Sequence, residues 1–215
     1  VLITAGVVVG LFAVYTLFWT GVQTQDAQEE LQGQFEAMDG VDEAPSTPDA
    51  DETTAPSDEQ AEPPAPARAD AYARLTIPRL GEEWAWIVVD GVDLDTLTLG
   101  PGHYPSSAAP GEVGNFAVAG HRATYGEPFA YLDRLQAGDA IVVEREGQTF
   151  TYAVTESFIT DPSDTGVLLA VPGDAEATPD EAVLTLTTCH PRWGSSERLI
   201  VHGELVSSSG ERAEA

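Results

Sequence analysis

The sequence predicts an all-β domain, either a barrel or a sandwich, over roughly residues 74–206. Beyond Tyr72 the chain consists of short alternating apolar runs that Gly and Pro interrupt, which is the pattern of sequential strands joined by turns. This interval has the length of one ordinary domain, so it can bury a core of its own. The chain has a single cysteine, which excludes an internal disulfide and leaves stability to that core.

Seven strands are predicted from alternation of apolar and polar residues along the domain. They cover residues 73–77, 86–89, 115–119, 140–146, 149–157, 183–189 and 198–206. Between the fourth and the fifth, residues 146–148 read Glu-Gly-Gln and predict the tight turn of a hairpin.

Two short helices and two long loops are predicted between these strands. The helices cover residues 94–99 and 128–135, and the second has Pro128 near its start and Gly138 after its end. The loops cover residues 100–114 and 161–181. Loops of that length in a compact domain are often binding elements.

The first 22 residues carry no charged side chain and predict a transmembrane anchor over residues 1–22. A spanning helix needs about 20 apolar residues. The aromatic residues Tyr15, Phe18 and Trp19 stand near its far end, where such rings favour the membrane interface. A small-x-small cleavage site is not evident after it, which favours an uncleaved anchor over a signal peptide. A buried core helix is the alternative.

The segment after the anchor, residues 23–71, is rich in Ala, Pro, Asp and Glu and predicts a flexible acidic stalk. Within it, residues 28–38 could extend the anchor helix by a few turns. The first arginine of the chain is Arg68, and a side so poor in cations is expected to be extracytoplasmic. The folded domain is expected over residues 72–207, and residues 208–215 are expected to form a disordered tail.

The charge balance excludes several classes of function. The chain has 36 acidic and nine basic residues, and all nine basic residues are arginine. Such an anionic protein is not expected to bind nucleic acid. The absence of lysine excludes a lysine nucleophile, a Schiff base and a P-loop. The cysteine and the scattered histidines lack metal-ligand spacing, so neither a metal nor another cofactor is expected.

The single cysteine, Cys189, ends the predicted strand 183–189 and is the candidate nucleophile. A rigid strand end can hold a reactive group at the surface while loops build a pocket around it. A free thiol is mostly protonated at neutral pH, so a working cysteine needs a base or a cation beside it. The alternative is a buried cysteine that acts only as a small apolar residue.

The candidate partners of Cys189 are one histidine and one arginine. His121 follows the predicted strand 115–119 through Gly120, which allows a close approach of the backbone. Arg198 opens the strand after Cys189 and is favoured over Arg192 as the group that stabilises an oxyanion. A papain-like hydrolase also uses Cys and His, but it places the cysteine at a helix N-terminus.

Residues 185–189, TLTTC, resemble the TLxTC signature of sortases, and His121 and Arg198 match the other two catalytic positions of that family in order. The stretches 75–81, 111–122 and 188–191 are most similar to class E sortases of high-GC Gram-positive bacteria. The resemblance covers residues 75–206. It implies an eight-stranded sortase-type β-barrel with short helices, preceded by the transmembrane helix and the disordered acidic stalk.

The resemblance further implies a cysteine transpeptidase on the outer face of the cytoplasmic membrane. Its substrates would be secreted proteins with a C-terminal sorting signal such as LAxTG or LPxTG, cut between Thr and Gly and passed to an amine of a peptidoglycan precursor. By this resemblance Cys189 is the nucleophile, His121 the general acid and Arg198 the residue that holds the substrate or oxyanion. Thr188 and a tyrosine, Tyr104 or else Tyr125, would contact the substrate. The alternative function is a non-enzymatic, membrane-tethered β-domain that binds cell-wall partners.

Overall fold

Eight strands close into a barrel in the computed structural model of the chain, which describes residues 2–39 and 70–210. Their spatial order is β1-β2-β3-β4-β7-β8-β6-β5, and β5 pairs with β1 to complete the ring. The strands are β1 (Ala71–Thr76), β2 (Ala85–Asp90), β3 (Gly102–His103), β4 (Gly114–Ala119), β5 (Ala140–Arg145), β6 (Gln148–Thr160), β7 (Ala182–His190) and β8 (Glu197–Ser209). The closed ring confirms the all-β prediction and decides it in favour of the barrel.

All seven predicted strands are present, and the differences lie in short elements. The eighth strand, β3, has only two residues and lies inside the predicted loop 100–114, so it is too short to show an alternating pattern. In place of the two predicted helices, the structure has the shorter 3₁₀ turns Thr96–Thr98 and Leu132–Arg134. β8 continues to Ser209, into the expected tail, and residues 211–215 lie outside the described residues.

The core of the barrel is filled by alternate residues of each strand, because successive side chains on a strand point to opposite faces. On the strands around the candidate nucleophile the inward residues are buried and apolar. They are Phe116 and Val118 on β4, Leu184 and Leu186 on β7, and Leu199 and Val201 on β8. The intervening residues of these three strands therefore point to the outer face of the barrel, and we call this the outward parity.

One long helix, α1 (Leu2–Asp39), packs its C-terminal half against the barrel. Thr24, Leu31 and Phe35 are buried at helical spacing and form one stripe toward β1 and β2. Between them Gln28 donates to the carbonyls of Ile87 at 3.0 Å and Leu99 at 2.9 Å and accepts from the Ile87 N–H at 2.8 Å. β3 pairs with β2 only at Val89 and Asp90. The Gln28 side chain therefore bonds the backbone of β2 at Ile87, where β3 no longer does.

The helical extension expected over residues 28–38 is present, so residues 23–39 of the expected stalk belong to α1. Residues 40–69 lie outside the described residues. A cavity of about 340 Å³ lies where α1 meets the barrel, and it is lined by Gly21, Gln25, Gln28, Ala85, Trp86 and Gly126. Across residues 2–39 and 70–210, none of the helices reaches the length and apolarity that crossing a membrane requires.

Candidate active site

Cys189 and Arg198 stand directly opposite each other on neighbouring strands. β7 and β8 are antiparallel, and Cys189 is the register partner of Arg198. Both belong to the outward parity of their strands, so the two side chains share the outer face. Cys189 is half-buried and its thiol is free. The strand-end placement of the thiol, rather than a helix N-terminus, excludes the papain-like arrangement.

His121 reaches the same face from β4, which runs parallel to β7. The ladder extends one residue beyond β4, because the Gly120 N–H donates to the Thr187 carbonyl at 3.1 Å. His121 therefore continues the outward parity of Ala117 and Ala119 and stands beside the end of β7. In this way parallel pairing brings the thiol and the imidazole to the same end of the sheet.

The backbone around His121 is fixed on its inner side. Phe129 lies fully buried beneath Gly120, and its N–H donates to the His121 carbonyl at 3.0 Å. A Cβ at Gly120 would lie 2.6 Å from the Phe129 ring, so only glycine fits this approach. The expectation that Gly120 serves a close backbone approach is confirmed.

The imidazole of His121 keeps one nitrogen unpaired. Its Nδ1 lies 3.5 Å from the Thr124 hydroxyl, and its ring packs at 4.8 Å against Tyr125. Nε2 is buried and forms no hydrogen bond with any atom of the described residues. Burial lowers the pKa of His121 below its ordinary value, because it disfavours the charged form. An unpaired buried nitrogen at the strand end that also carries the thiol is available for proton transfer.

Arg198 is oriented by its own loop. Its Nη1 donates to the carbonyls of Ser195 at 3.1 Å and Glu197 at 3.0 Å. Its charge also acts on Tyr104, whose pKa is raised by burial and partly lowered again by Arg198. Nε and Nη2 of Arg198 have no hydrogen-bond partner in the part of the chain that the structure describes, so they can meet a substrate.

Arg192, the competing arginine, is engaged elsewhere. It forms an ion pair with Glu127, and its guanidinium lies 4.8 Å from the Tyr131 ring and 5.4 Å from the Trp193 ring. These contacts tie the connection between β7 and β8 to the segment after His121. The geometry therefore favours Arg198, as the sequence argument does.

Thr188, a predicted substrate contact, lies on the inner side of β7. It has the inward parity of Leu184 and Leu186, is 3% exposed, and donates its hydroxyl to the Gly120 carbonyl at 2.7 Å. Through this bond Thr188 braces the His121 segment from the inner side of the sheet, and its contact with substrate stays a prediction.

The two candidate tyrosines lie at different places on the outer side. Tyr104 is half-buried, and its N–H donates to the carbonyl of Ala117, an outward residue of β4. Tyr125 packs on His121. Tyr104 therefore lies on the outer face beside β4, whereas Tyr125 packs against the imidazole of His121.

Two other histidines are occupied by structural contacts. Nδ1 of His103 lies 2.9 Å from Asp90, and its Nε2 lies 3.1 Å from the Ser107 hydroxyl. This Asp-His-Ser order resembles a serine hydrolase, but the Ser107 hydroxyl also accepts from the Ala117 N–H at 3.1 Å and contacts the Tyr104 carbonyl at 2.8 Å. A hydroxyl so engaged braces the loop that carries Tyr104 rather than acting as a nucleophile.

The other buried histidine, His202, helps to pin the loop between β6 and β7 to the outer face. Its Nδ1 lies 3.0 Å from the Thr185 hydroxyl, which in turn lies 2.8 Å from Oδ1 of Asn115. The Asn115 amide donates to the carbonyls of Val167 and Leu169 at 3.1 and 3.0 Å. This network, which sequence reasoning missed, holds the predicted binding loop 161–181 against the barrel.

Comparison with known proteins agrees with this geometry. Residues 75–206 match the sortase domain family. The chain is 32% identical to sortase SrtE1 of Streptomyces coelicolor over 96% of its own length and 55% of that protein's, so it spans about half of this relative. The solved structure of sortase E from Streptomyces avermitilis is 41% identical with a TM-score of 0.58, over 65% of this chain and 90% of that one.

Sortase E1 from Streptomyces coelicolor, solved with a tripeptide in its active site, is 37% identical with a TM-score of 0.60, over the same shares of the two chains. The match begins in β1, ends in β8 and includes the three strands that carry His121, Cys189 and Arg198. Together with the closed eight-stranded barrel, it shows that this chain belongs to the sortase family.

Proposed function

We propose that this chain is a cysteine transpeptidase that uses Cys189 as its nucleophile. The observation that carries the proposal is the unpaired, buried Nε2 of His121 at the sheet end where Cys189 and Arg198 are register partners. A nucleophile, a proton carrier and a cation at one strand end are the parts that acyl transfer requires.

The reaction proceeds in two balanced steps. The sulfur of Cys189 attacks the Thr carbonyl carbon of the substrate and forms a thioester, while the Thr-Gly amide bond breaks and His121 delivers a proton to the departing glycine amine. An acceptor amine then attacks the thioester, forms a new amide bond and releases the sulfur, and the proton that the amine loses returns to the cysteine–histidine pair. Arg198 donates hydrogen bonds to the carbonyl oxygen while it carries negative charge.

The proposed substrates are secreted proteins with a C-terminal LAxTG-like or LPxTG-like sorting signal, and the proposed acceptor is an amine of a peptidoglycan precursor. Similarity to a sortase E1 solved with a tripeptide in its active site supports a peptide substrate. Tyr104 is the proposed contact for the second motif residue, since it is half-buried on the outer face within range of the Arg198 charge.

Mass spectrometry of the chain after incubation with a sorting peptide tests this function. We expect an acyl adduct on Cys189 that an added amine removes as a transpeptidation product. The Cys189→Ala variant should form no adduct. A folded wild-type protein that binds the peptide without forming an adduct would instead support the non-enzymatic binding domain.

Alanine variants test the two arginine assignments. Arg198→Ala should abolish turnover without unfolding, because it removes the donors opposite Cys189. Arg192→Ala should retain turnover, since its guanidinium is held by Glu127 and Tyr131. The reverse result would exchange their roles.

The location of the protein is a separate proposal that rests on the sequence. The uncharged segment 1–22 is proposed to attach the chain to the cytoplasmic membrane, with the barrel on the extracytoplasmic side. Carbonate washing of membranes that contain the chain tests it. We expect the protein to stay with the membrane until detergent is added, whereas release by carbonate alone would contradict attachment.

A further inference from the structure

A buried arginine links the two segments that carry the catalytic residues. Arg122 directly follows His121 and is 5% exposed. Its Nη1 lies 2.6 Å from Nδ1 of His190 and 3.4 Å from the Cys189 carbonyl, and its Nη2 donates to Asp133 at 3.0 Å. One guanidinium therefore contacts the nucleophile's own backbone, the residue after it and the turn that follows the His121 segment.

The place of this link in the sheet gives it a specific role. The last backbone bond between the β4 and β7 segments in the described residues joins Gly120 to Thr187. His121 and Cys189 both lie beyond that bond, where the ladder no longer fixes their separation. Beyond it, the Thr188 hydroxyl donates to the Gly120 carbonyl at 2.7 Å, and Arg122 then contacts the carbonyl of Cys189 itself. Arg122 is almost fully buried, so its guanidinium is not part of the exposed surface that a substrate could contact.

Stability alone does not account for a charge at this position. Burying an ion costs several kcal/mol, and replacement of a buried ion pair by apolar residues is often neutral or stabilising. Nε of Arg122 is buried without a partner in the described part of the chain, and the carboxylate of Asp133 is 54% exposed. A guanidinium only donates, so Nδ1 of His190 accepts from it, which fixes the orientation of the residue after Cys189.

We propose that Arg122 is a positioning residue that sets the separation of the His121 imidazole and the Cys189 thiol. The inference rests on the proposed transpeptidation, in which these two groups must exchange a proton. Misplacement by about 1 Å of groups that react with one another can cost about 100-fold in rate, and substrate binding on the outer face would be little affected.

Steady-state kinetics of the full chain with a sorting peptide give the first test. Arg122→Met should lower kcat by about 10- to 100-fold and change KM by less than about threefold. Arg122→Lys should recover part of kcat, since an ammonium can reach one of the three acceptors but cannot span all of them. Arg79→Met is the matched control, because Arg79 pairs with Asp139 at 3.6 Å on an exposed surface, and it should behave as the wild type.

Alkylation of Cys189 by iodoacetamide gives a second test that needs no sorting peptide. His121→Ala should change the alkylation rate of the otherwise wild-type chain, and it should change the rate by less than about twofold in the Arg122→Met background. A purely structural arginine would leave the effect of His121→Ala equal in both backgrounds. Equal effects, or no effect of His121→Ala in either, would overturn the proposal.

Circular dichroism and thermal unfolding establish which variants are folded. A folded Arg122→Met with wild-type kcat, or with its loss confined to KM, also overturns the proposal. Should that variant not fold, Arg122→Lys and Asp133→Asn decide in its place, and each should lower kcat and weaken the effect of His121→Ala on alkylation. A wild-type chain that forms no acyl adduct contradicts the proposed function. The alkylation experiment needs no sorting peptide, so it still tests the positioning role of Arg122 in that case.

Discussion

The imidazole of His121 is held by packing and not by a carboxylate. Within the described residues its contacts are the Thr124 hydroxyl and the Tyr125 ring, neither of which stabilises an imidazolium as an aspartate would. Burial also disfavours that charge and lowers the pKa of His121. The proton transfer proposed for His121 therefore depends on the Tyr125 ring that packs against the imidazole.

We therefore expect kcat/KM to fall on the acid side only at a low pH. The reactive state holds one proton between His121 and Cys189. As the pH falls through the pKa of His121, protonation of the imidazole removes this state, so activity is present above that pKa and lost below it. Because burial lowers the pKa of His121 from 6.5, we expect the acid limb of kcat/KM to be centred below pH 6.5.

The Tyr125→Asn variant provides the comparison for this profile. Asparagine tolerates the positive φ of 52° at this position. The variant lacks the Tyr125 ring, so His121 is exposed to water. The acid limb should then move upward toward pH 6.5. An acid limb already above that value in the wild type, with the fold intact by circular dichroism, would contradict the assignment of this limb to a buried His121.

At the scale of elements, the docking of α1 depends on the amide of Gln28. Replacement by Ala removes three hydrogen bonds and leaves the N–H and carbonyl of Ile87 without their side-chain partner. We expect Gln28→Ala to lower the free energy of unfolding by about 1 to 3 kcal/mol and to speed hydrogen exchange at the Ile87 amide.

Gln32→Ala is the matched control on the same helix. Among the residues that the structure describes, Gln32 bonds only to Glu36 within α1, at 2.7 Å on an exposed surface. Its loss should therefore change stability by less than about 0.5 kcal/mol. Equal losses for the two variants would show that α1 is held by its apolar stripe alone.

The sequence predicts those elements whose pattern is local. Strands such as β4 and β7 alternate over enough residues to be recognised, and both end at the same edge of the sheet, close to His121 and Cys189. β3 could not be predicted, because two residues carry no period. The hydrogen bonds of Thr188 and Arg122 could not be predicted either, because they depend on parallel pairing between β4 and β7, which joins residues about 70 positions apart.

For the molecule as a whole, the position of α1 changes the expected role of the acidic segment. Oε1 of Gln34 accepts from the Ala71 N–H at 3.3 Å, and Phe35 and Ala71 share one apolar cluster. The residues on either side of the segment 40–69 therefore lie at the same surface of the barrel. A segment whose two ends meet on the same surface does not separate the barrel from whatever precedes α1, as a stalk would.

Shortening this segment tests the argument. Deletion of residues 46–65 reduces the connection 40–69 from 30 residues to 10, which still spans about 30 Å. Loop closure then costs about 1 kcal/mol less, so thermal stability should rise slightly while kcat/KM stays unchanged. In cells, surface display of a reporter with a sorting signal should also be unchanged, because the docked helix and not the acidic segment sets the reach of the barrel. The control is a chain of full length in which residues 40–69 are scrambled. If the deletion reduces display at unchanged kcat/KM and the scrambled control does not, the segment acts as a spacer.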